Sequence, residues 1–367
     1  MKQSARKGST RLGDARVGIS GWRYEPWRGT FYPPGLAQRR ELEYASRKLN
    51  SIEINGSFYS LQRPESYRQW YEETPDEFVF SVKGGRYITH MLKLRDCETA
   101  VANFFASGVL CLREKLGPFL WQFPPQMTFN AEKLETFLKM LPRDTRAAAD
   151  FAKGHNEKLK GRAYTKADVD LPVRHAVEVR HHSFEKPEFV DILRRHDVAL
   201  VFADTAGKWP YGEDLTSDFV YCRLHGDEEI YVSGYNDPAL DWWAARLQAW
   251  RAGTEPPDAK HWAGGKPPKK TKARDVFVYF DNDVKVRAPF DAMNLYRRLT
   301  GKPLDADGDA APDAMDIAET ARTQWPPIRR APARRAAPAR ARKVPAKDRW
   351  GRPLRSQSAA TGPTMRP

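Results

Sequence analysis

The stretch that decides the fold reads Phe219-Val-Tyr-Cys-Arg-Leu-His-Gly226. Its first half is apolar and aromatic, which is typical of a buried strand. Arg223 and His225 then stand two positions apart, so their side chains share one face of that strand. An arginine in an otherwise buried strand is costly unless it is paired or lines a cavity. The end of this strand therefore indicates where the protein acts.

Seven further segments resemble it, and amphipathic helical patterns alternate with them. The predicted strands are Val17–Ser20, Ser51–Asn55, Phe78–Lys83, Phe119–Phe123, Ala176–Arg180, Ala199–Asp204, Phe219–Leu224 and Val276–Phe280. The predicted helices are Leu36–Leu49, Pro64–Thr74, Cys97–Leu112, Ala131–Met140, Lys186–His196, Ala239–Ala252 and Pro289–Leu299. Eight strands joined by crossovers predict a (β/α)8 TIM-like barrel, an α/β fold. An open, doubly wound sheet is the alternative. The sixth crossover, Thr205–Asp218, is rich in Gly, Pro and Asp and predicts no regular helix.

Composition divides the chain into three parts. Residues 1–16 form a predicted flexible basic arm, residues 17–300 the barrel, and residues 301–367 a disordered tail, acidic and then basic. Residues 320–367 contain thirteen Lys and Arg and one acidic residue, so most of the net charge of +14 belongs to the tail. The barrel itself is expected to be nearly neutral.

Several functional classes find no support in the sequence. No run of eighteen apolar residues predicts a membrane span, and no apolar segment follows the basic N-terminus as in a secretory signal. The three cysteines are scattered, which favours a reducing, cytoplasmic location. Glycine-rich nucleotide motifs, hydrolase elbows and paired-histidine metal motifs are absent, so we expect no cofactor and no metal.

Polar side chains stand at the C-terminal ends of most predicted strands, where barrel enzymes carry their active sites. The candidate catalytic residues are His225, Glu178, Glu53 and Asp204. The candidate substrate-binding residues are Asn55, Tyr59, Lys83, Gln122, Arg180, Arg223, Asn282 and Trp22. We expect the charged members to cluster in one pocket, with Arg180 or Arg223 holding an anion by a bidentate contact.

Structural interpretations compete with this one. The charges nearly cancel and could form an internal salt-bridge lattice at the barrel mouth. The aromatic residues after the strands could pack together as a lid, and a lone histidine is commonly a hydrogen-bonded structural residue.

Several motifs, taken together and in order, resemble the YecE-like family, also called domain of unknown function 72. They are Gly18-Ile-Ser-Gly-Trp22, Glu53-Ile-Asn55, Leu120-Trp-Gln-Phe-Pro-Pro125, Glu178-Val-Arg180 and Tyr221-Cys-Arg-Leu-His-Gly226. The resemblance spans about Val17 to Leu299 and implies a TIM-like barrel of unassigned activity. Where that family commonly has Phe-Asn-Asn near strand eight, this chain has Phe280-Asp281-Asn282.

Two functional hypotheses follow. The first is a hydrolase acting on a phosphorylated or sugar-containing substrate, so that the partner is a small anionic or sugar-containing ligand. The alternative is a non-catalytic nucleic-acid-binding protein that uses the pocket rim and residues 320–367, because a basic segment attracts phosphates without sequence preference.

Overall fold

The computed structural model describes residues 11–264, 268, 271–282 and 285–302. Of the tail predicted at residues 301–367, residues 303–367 therefore lie outside the described residues. Eight parallel strands pair in chain order, and β1 also pairs with β8, which closes a barrel and confirms the predicted fold class. The strands are Ala15–Ser20 (β1), Ser51–Ile54 (β2), Val79–Lys83 (β3), Leu116–Gln122 (β4), His175–Glu178 (β5), Ala199–Asp204 (β6), Phe219–Leu224 (β7) and Asp275–Phe280 (β8).

Helices surround this barrel. They are Glu41–Lys48 (α1), Gly56–Tyr59 (α2), Pro64–Glu73 (α3), Glu98–Ala106 (α4), Ala131–Met140 (α5), Thr145–Ala152 (α6), Pro187–Arg195 (α7), Asp237–Arg251 (α8) and Ala288–Thr300 (α9). The crossover Thr205–Asp218 contains no helix, as predicted. Across the described ranges, no helix is long and apolar enough to span a membrane.

Several helical segments differ from the sequence prediction: α1 begins at Glu41 rather than at Leu36, and α2 was not predicted. The helix predicted at Cys97–Leu112 ends at Ala106, and a 3-10 helix then runs over Val109–Lys115. Gly108 separates them with a φ of 111°, a conformation that interrupts an α-helix and favours glycine. Helix α6 lies between the predicted helix Ala131–Met140 and the predicted strand Ala176–Arg180, where no helix was predicted. The carboxylate of Asp144 caps it by accepting a hydrogen bond from Ala147 N.

Side-chain alternation divides each strand into an inner and an outer face. In β6 the bulky Leu200 and Phe202 pack outward in the large core between barrel and helices, whereas Ala199, Val201 and Ala203 belong to a small cluster inside the barrel. The other strands alternate in the same way, so only residues at inward-facing positions can place a polar side chain in the barrel interior.

The barrel interior becomes polar towards the C-terminal ends of the strands. Above the inner apolar cluster, the Tyr279 hydroxyl lies 2.7 Å from Ser51 Oγ and the Tyr221 hydroxyl 2.7 Å from Ser81 Oγ. Tyr221 also donates a 2.6 Å hydrogen bond to Glu53 Oε2. This layer of hydroxyl groups connects the apolar floor with the charged groups above it.

Because the barrel closes tightly between β1 and β2, we predict that a larger residue at Gly18 destabilises the fold. A Cβ atom there would lie 1.7 Å from the Ser51 carbonyl oxygen on the adjacent strand. We expect Gly18→Ala to force β1 from β2 and lower the free energy of unfolding by roughly 3 kcal/mol, as overpacking does. Urea denaturation measures this loss. Gly85→Ala is the matched control, because its nearest non-neighbouring atom would be 3.8 Å away. Equal losses in the two variants would contradict the close approach of β1 and β2.

Candidate active site

Arg223 is fully buried at the centre of the barrel mouth, and its guanidinium is saturated by protein acceptors. Nε and Nη2 donate to the two oxygens of Glu53 at 3.1 and 2.9 Å. Nη1 donates to Glu178 Oε2 at 2.9 Å, and Nη2 also contacts Asp281 Oδ2 at 2.8 Å and Ser20 Oγ at 2.9 Å. A guanidinium has five N–H groups, so Arg223 has none left for a substrate.

Three carboxylates therefore balance Arg223 inside the barrel. Burial alone would lower the pKa of Arg223, but Glu53, Asp281 and Glu178 outweigh it and hold the pKa well above the ordinary value. Burial would likewise raise the pKa of the Glu178 carboxyl, yet Arg180 and Arg223 depress it below its usual range. Burial would also raise the pKa of the Asp281 carboxyl, but Arg223 and then His225 outweigh it and hold this pKa below its usual range. Glu178 and Asp281 are thus ionised at neutral pH.

His225 is held in its neutral form. Its Nε2 lies 3.3 Å from Arg223 Nη1, and since arginine only donates, this nitrogen accepts and the proton resides on Nδ1. Nδ1 approaches Asp281 Oδ2 to 3.1 Å, but without the angle of a hydrogen bond. Burial and then Arg223 lower the pKa of His225. The arrangement supports the structural alternative for this histidine, because both nitrogens face fixed charges.

Arg180 and Lys83 are the two cations of the cluster that keep donors not engaged by described residues. Arg180 donates from Nε to Glu178 Oε1 at 2.7 Å and from Nη2 to Gln122 Oε1 at 3.0 Å, with 11% of its side chain exposed. Its Nη1 makes no hydrogen bond to any described residue. Lys83 Nζ lies 4.4 Å from the centre of the Phe58 ring and makes no hydrogen bond or ion pair within the described ranges. These two cations retain donors that a ligand could use.

Aromatic rings pack against the residues of the mouth near Arg180, His225 and Lys83. Trp209 stacks on the Arg180 guanidinium at 3.7 Å, and Tyr231 meets the His225 ring edge-on at 5.3 Å. His90 meets the Phe58 ring edge-on at 5.1 Å. From the sequence, aromatic residues are expected after the strands, Phe58 and Tyr231 among them, but neither these two nor Trp209 and His90 are assigned to the site. Their loops have no strand periodicity that could reveal which side chains turn towards the mouth.

A cavity of about 360 Å³ adjoins the mouth behind Trp209. Four aromatic residues line it together with two carboxylates: Trp209, Tyr211, Trp242, Trp243, Asp204 and Asp227. Burial raises the pKa of Asp204, against the effect of hydrogen bonds from Tyr235 and Trp243. Asp227 also has a raised pKa, because of burial and then the neighbouring charge of Glu228.

Asp204 thus lies outside the charged cluster in which the sequence placed it. It follows Ala203, which faces the barrel interior, so its own side chain turns outward. There Oδ2 accepts hydrogen bonds from Tyr235 Oη at 3.0 Å and Trp243 Nε1 at 3.4 Å. The other charged candidates, Glu53, Lys83, Glu178, Arg180 and Arg223, do come together with His225.

The uncharged candidates divide in the same manner. Gln122 joins the cluster through Arg180, and Asn55 donates to Ser20 Oγ at 2.8 Å while its Oδ1 has no partner among the described residues. Tyr59 stands on the rim and is 70% exposed. Trp22 lies outside the site, since it is buried and packs edge-on against Trp70 of α3.

Asn282 lies outside the charged cluster, and the adjacent residue Asp281 occupies the position that was predicted for it. Strand β8 turns Tyr279 inward and Phe280 outward, so residue 281 faces the cluster and residue 282 does not. Asn282 instead donates to Ser233 O and to Asp291 Oδ2, where it ties the loop after β7 to α9. Strand parity was the signal that could have identified Asp281.

The acidic groups of the cluster are arranged around a guanidinium. Within the part of the chain that the structure describes, no group of three or more His, Cys, Asp or Glu side chains has a metal-binding arrangement. The chemistry that the residues themselves offer is anion binding at Arg180 and Lys83 and proton transfer at the cavity carboxylates.

Removal of the central cation is predicted to be severe. We expect Arg223→Leu to lower the free energy of unfolding at pH 7 by about 3–5 kcal/mol, because three buried carboxylates lose their counter-ion. The deficit should shrink towards pH 5. Without Arg223 the effect of burial on Asp281 is no longer offset by its largest counter-charge. The folded-state pKa of Asp281 then rises above its unfolded value, so proton uptake favours the folded form. Denaturant titrations at both pH values measure the two effects.

Arg298→Leu provides the matched control. Arg298 also contacts two carboxylates, those of Asp237 and Asp241, but at the surface. Its loss should cost less than about 1 kcal/mol. A small, pH-independent effect of Arg223→Leu, equal to that of the control, would contradict the role of Arg223 as internal counter-ion.

Comparison with known proteins agrees with this architecture. Residues 16–315 match the family model described as "Protein of unknown function DUF72". The chain is 26% identical over 250 residues to UPF0759 protein YecE of Escherichia coli K12, covering 65% of this chain and 83% of that protein. It is 28% identical over 123 residues to UPF0759 protein YunF of Bacillus subtilis, covering 32% of this chain and 43% of that protein.

Solved structures of the same family share the fold. A DUF72 family protein of Thermotoga maritima superposes with a TM-score of 0.58 at 23% identity, covering 78% of this chain and 99% of that one. A second from Enterococcus faecalis gives a TM-score of 0.54 at 17% identity, covering 78% and 95%. With the family model matched over most of the barrel, the chain belongs to the DUF72 family of proteins of unknown function.

Proposed function

We propose that the protein is a hydrolase that cleaves a small phosphorylated glycoside at the barrel mouth. The observation that carries this proposal is the position of Trp209. Its indole stacks on Arg180 at 3.7 Å and also lines the aromatic cavity. An anion bound at Arg180 and a ring bound in the cavity would therefore belong to one ligand.

The phosphate is assigned to Arg180. Arg223 has every N–H group engaged, whereas Arg180 retains the donors of Nη1 and a second proton on Nη2. Two parallel donors of this kind match two oxygens of a phosphate. Trp209 and Gln122 hold the guanidinium plane in place, so little side-chain freedom is lost on binding.

The sugar ring is assigned to the aromatic cavity. Its volume of about 360 Å³ falls in the range of small-molecule sites, which combine apolar walls with a few polar groups. Trp209, Tyr211 and Trp243 offer flat faces for the C–H groups of a sugar. Asp204 and Asp227 offer acceptors for its hydroxyl groups.

The two cavity carboxylates also supply proton transfer. Glycoside hydrolysis uses one protonated carboxyl group, which donates to the leaving oxygen, and one carboxylate on the opposite side of the bond. Burial raises the pKa of Asp204, so this group retains its proton to higher pH than an exposed aspartate and suits the acid role. Asp227 then activates water or stabilises positive charge on the sugar. The charged cluster around Arg223 has a supporting role, in which it fixes Glu178 and through it Arg180.

A kinetic comparison tests this proposal. We expect turnover of p-nitrophenyl 6-phosphoglycosides, with at least a tenfold lower kcat/KM for the unphosphorylated glycosides, since a charge-assisted bidentate contact contributes about 1.5–3 kcal/mol. Arg180→Gln should remove this preference chiefly through KM. Asp204→Asn should lower kcat by about 100-fold or more, the usual contribution of a general acid.

Asp150→Asn is the matched control for the carboxylate, since Asp150 lies on the surface of α6 and pairs with Lys153. It should leave the kinetics unchanged. Unaltered kcat in Asp204→Asn would overturn the catalytic assignment, and failure to hydrolyse any phosphorylated glycoside in a panel of common sugars would overturn the proposed reaction.

The second candidate is nucleic-acid binding by the rim and residues 320–367. The rim exposes Tyr59 and Tyr87, and Lys158 Nζ lies 4.9 Å from the Tyr87 ring. Exposed rings beside cations suit the stacking of unpaired bases. Residues 320–367 lie outside the described residues, and their thirteen basic side chains are the second support for this candidate.

Truncation after Lys302 separates the two candidates. If the tail binds nucleic acid, the shortened chain should lose most of its affinity for single-stranded DNA at low salt, because each neutralised phosphate releases counter-ions. Fluorescence anisotropy across a salt series measures this affinity, with circular dichroism as the control for folding. Unchanged affinity would move binding to the barrel, and no affinity in the full chain would eliminate this candidate.

A further inference from the structure

We propose that Lys83 is a carbonyl-reactive amine, which forms an imine with an aldehyde or ketone that also carries an anionic group. This inference goes beyond the proposed hydrolysis. It shares with that function only the anion-binding role of Arg180, and no step of it requires Asp204 or Asp227.

The first support is the position of Nζ. Lys83 is the last residue of β3, is 8% exposed, and places Nζ 4.4 Å from the centre of the Phe58 ring. Carboxylates surround the site, but their oxygens accept from Arg223 and Arg180. None forms an ion pair with Lys83 within the described ranges. An amine held against a ring and free of an ion pair is available for reaction at the mouth.

The electrostatic surroundings act in the same direction. Burial, followed by the charge of Arg223, lowers the pKa of Lys83 to about 8, although Glu53, Glu178 and Asp281 oppose this. An appreciable fraction of the side chain is therefore the neutral amine near pH 8, and only this form has the lone pair that attacks carbon. An ordinary exposed lysine is almost wholly protonated there.

His90 is the second polar group at the Phe58 ring. Its ring centre lies 5.1 Å from that of Phe58, and its Nδ1 lies 2.9 Å from Thr89 Oγ1, which orients the imidazole. Burial, Lys83 and then Arg180 lower the pKa of His90 to about 4. It is consequently a neutral imidazole at pH 8, and such a ring can relay a proton from Lys83 to the substrate oxygen, because a group of this low pKa does not retain the proton.

The segment that carries His90 has unusual backbone geometry. Tyr87–Met91 forms a single turn of π-helix, and Lys93, Leu94 and Asp96 follow with φ values of 51°, 66° and 42°. Isolated π-turns and positive φ values at residues other than glycine are costly and concentrate at functional sites. This observation does not depend on the position of Lys83, and it independently indicates that the segment carrying His90 is functional.

The covalent step balances without any further reagent. The neutral Nζ attacks the carbonyl carbon, a C–N bond forms, and the carbonyl oxygen takes up a proton as the nitrogen releases one through His90. The nitrogen then gives up its second proton, which reaches the carbinolamine hydroxyl through His90, and the hydroxyl leaves as water while the C=N bond forms. Amine plus carbonyl compound thus gives imine plus water, with no change in oxidation state.

Reductive trapping tests the inference. The full-length protein is incubated with glyceraldehyde 3-phosphate and sodium cyanoborohydride, which reduces an imine to a stable secondary amine, and is then mapped by peptide mass spectrometry. We expect modification at Lys83 on the order of tenfold faster than at the exposed Lys153, because the neutral fraction is larger. The rate at Lys83 should rise between pH 7 and 9, while the rate at Lys153 should remain low.

Three variants sharpen the assignment. Lys83→Arg keeps the charge and should abolish trapping at this position, whereas His90→Gln should slow it. Arg180→Gln should remove the preference for glyceraldehyde 3-phosphate over uncharged glyceraldehyde without abolishing reaction of the latter. Asp204→Asn should leave the trapping rate unchanged, so failure of the hydrolase proposal and failure of this one give different results.

The wild-type peptide map is decisive even where a variant does not fold. Modification that is spread over exposed lysines, with Lys83 no faster than Lys153, would overturn the inference. Selective modification of Lys83 with no preference for the phosphorylated aldehyde would retain the reactive amine and overturn the role of Arg180 in this site.

Discussion

The charged cluster at the C-terminal ends of the barrel strands is held together by one buried cation. Arg223 has no contact with solvent, and it brings together Glu53 from β2, Glu178 from β5, Asp281 after β8 and Ser20 from β1. These partners come from strands around the whole ring, so a single guanidinium fixes groups that are distant in sequence. Because an unpaired charge at this depth would be prohibitive, the four ionised groups stabilise the fold only as a set. The site inherits its geometry from this constraint: Glu178 is held by Arg223, and Arg180 is held by Glu178.

This arrangement separates the charges that support the site from those that a ligand can reach. Glu53, Glu178 and Asp281 all accept hydrogen bonds from Arg223, and Glu178 also accepts one from Arg180. His225 lies as a neutral ring between Arg223 and Asp281. Lys83, Arg180 and the two cavity carboxylates keep some capacity for new contacts. A mouth with two incompletely engaged cations and an aromatic cavity next to it favours a ligand with an anionic end and a ring. The internal salt-bridge lattice and the proposed ligand site, alternatives at the level of the sequence, are thus compatible, because they use adjoining parts of one mouth.

The sequence was sufficient for the barrel and for most of the charged cluster. Each strand of a parallel sheet is a short apolar run, and polar residues at the ends of such runs identify the mouth, which is how Glu53, Glu178 and Arg223 were found. It failed where the parity of a strand decided the outcome: Asp204 and Asn282 turn outward, and Asp281 turns inward. The bulky Leu200 and Phe202 already indicate that even-numbered residues of β6 face the helices, so that error was avoidable. Trp209 and His90 were not predictable in this way, because their loops are positioned by tertiary contacts with Arg180 and Phe58.

The central claim is that Arg223 is an internal counter-ion and that ligands bind beside Arg180. A crystal structure of the protein with a bound sugar phosphate tests this most directly. The account predicts that phosphate oxygens lie within hydrogen-bond distance of Arg180, that the ring lies against Trp209, and that Arg223 keeps its contacts with Glu53, Glu178 and Asp281. A phosphate bound directly to Arg223, with any of these three carboxylates displaced, would contradict it.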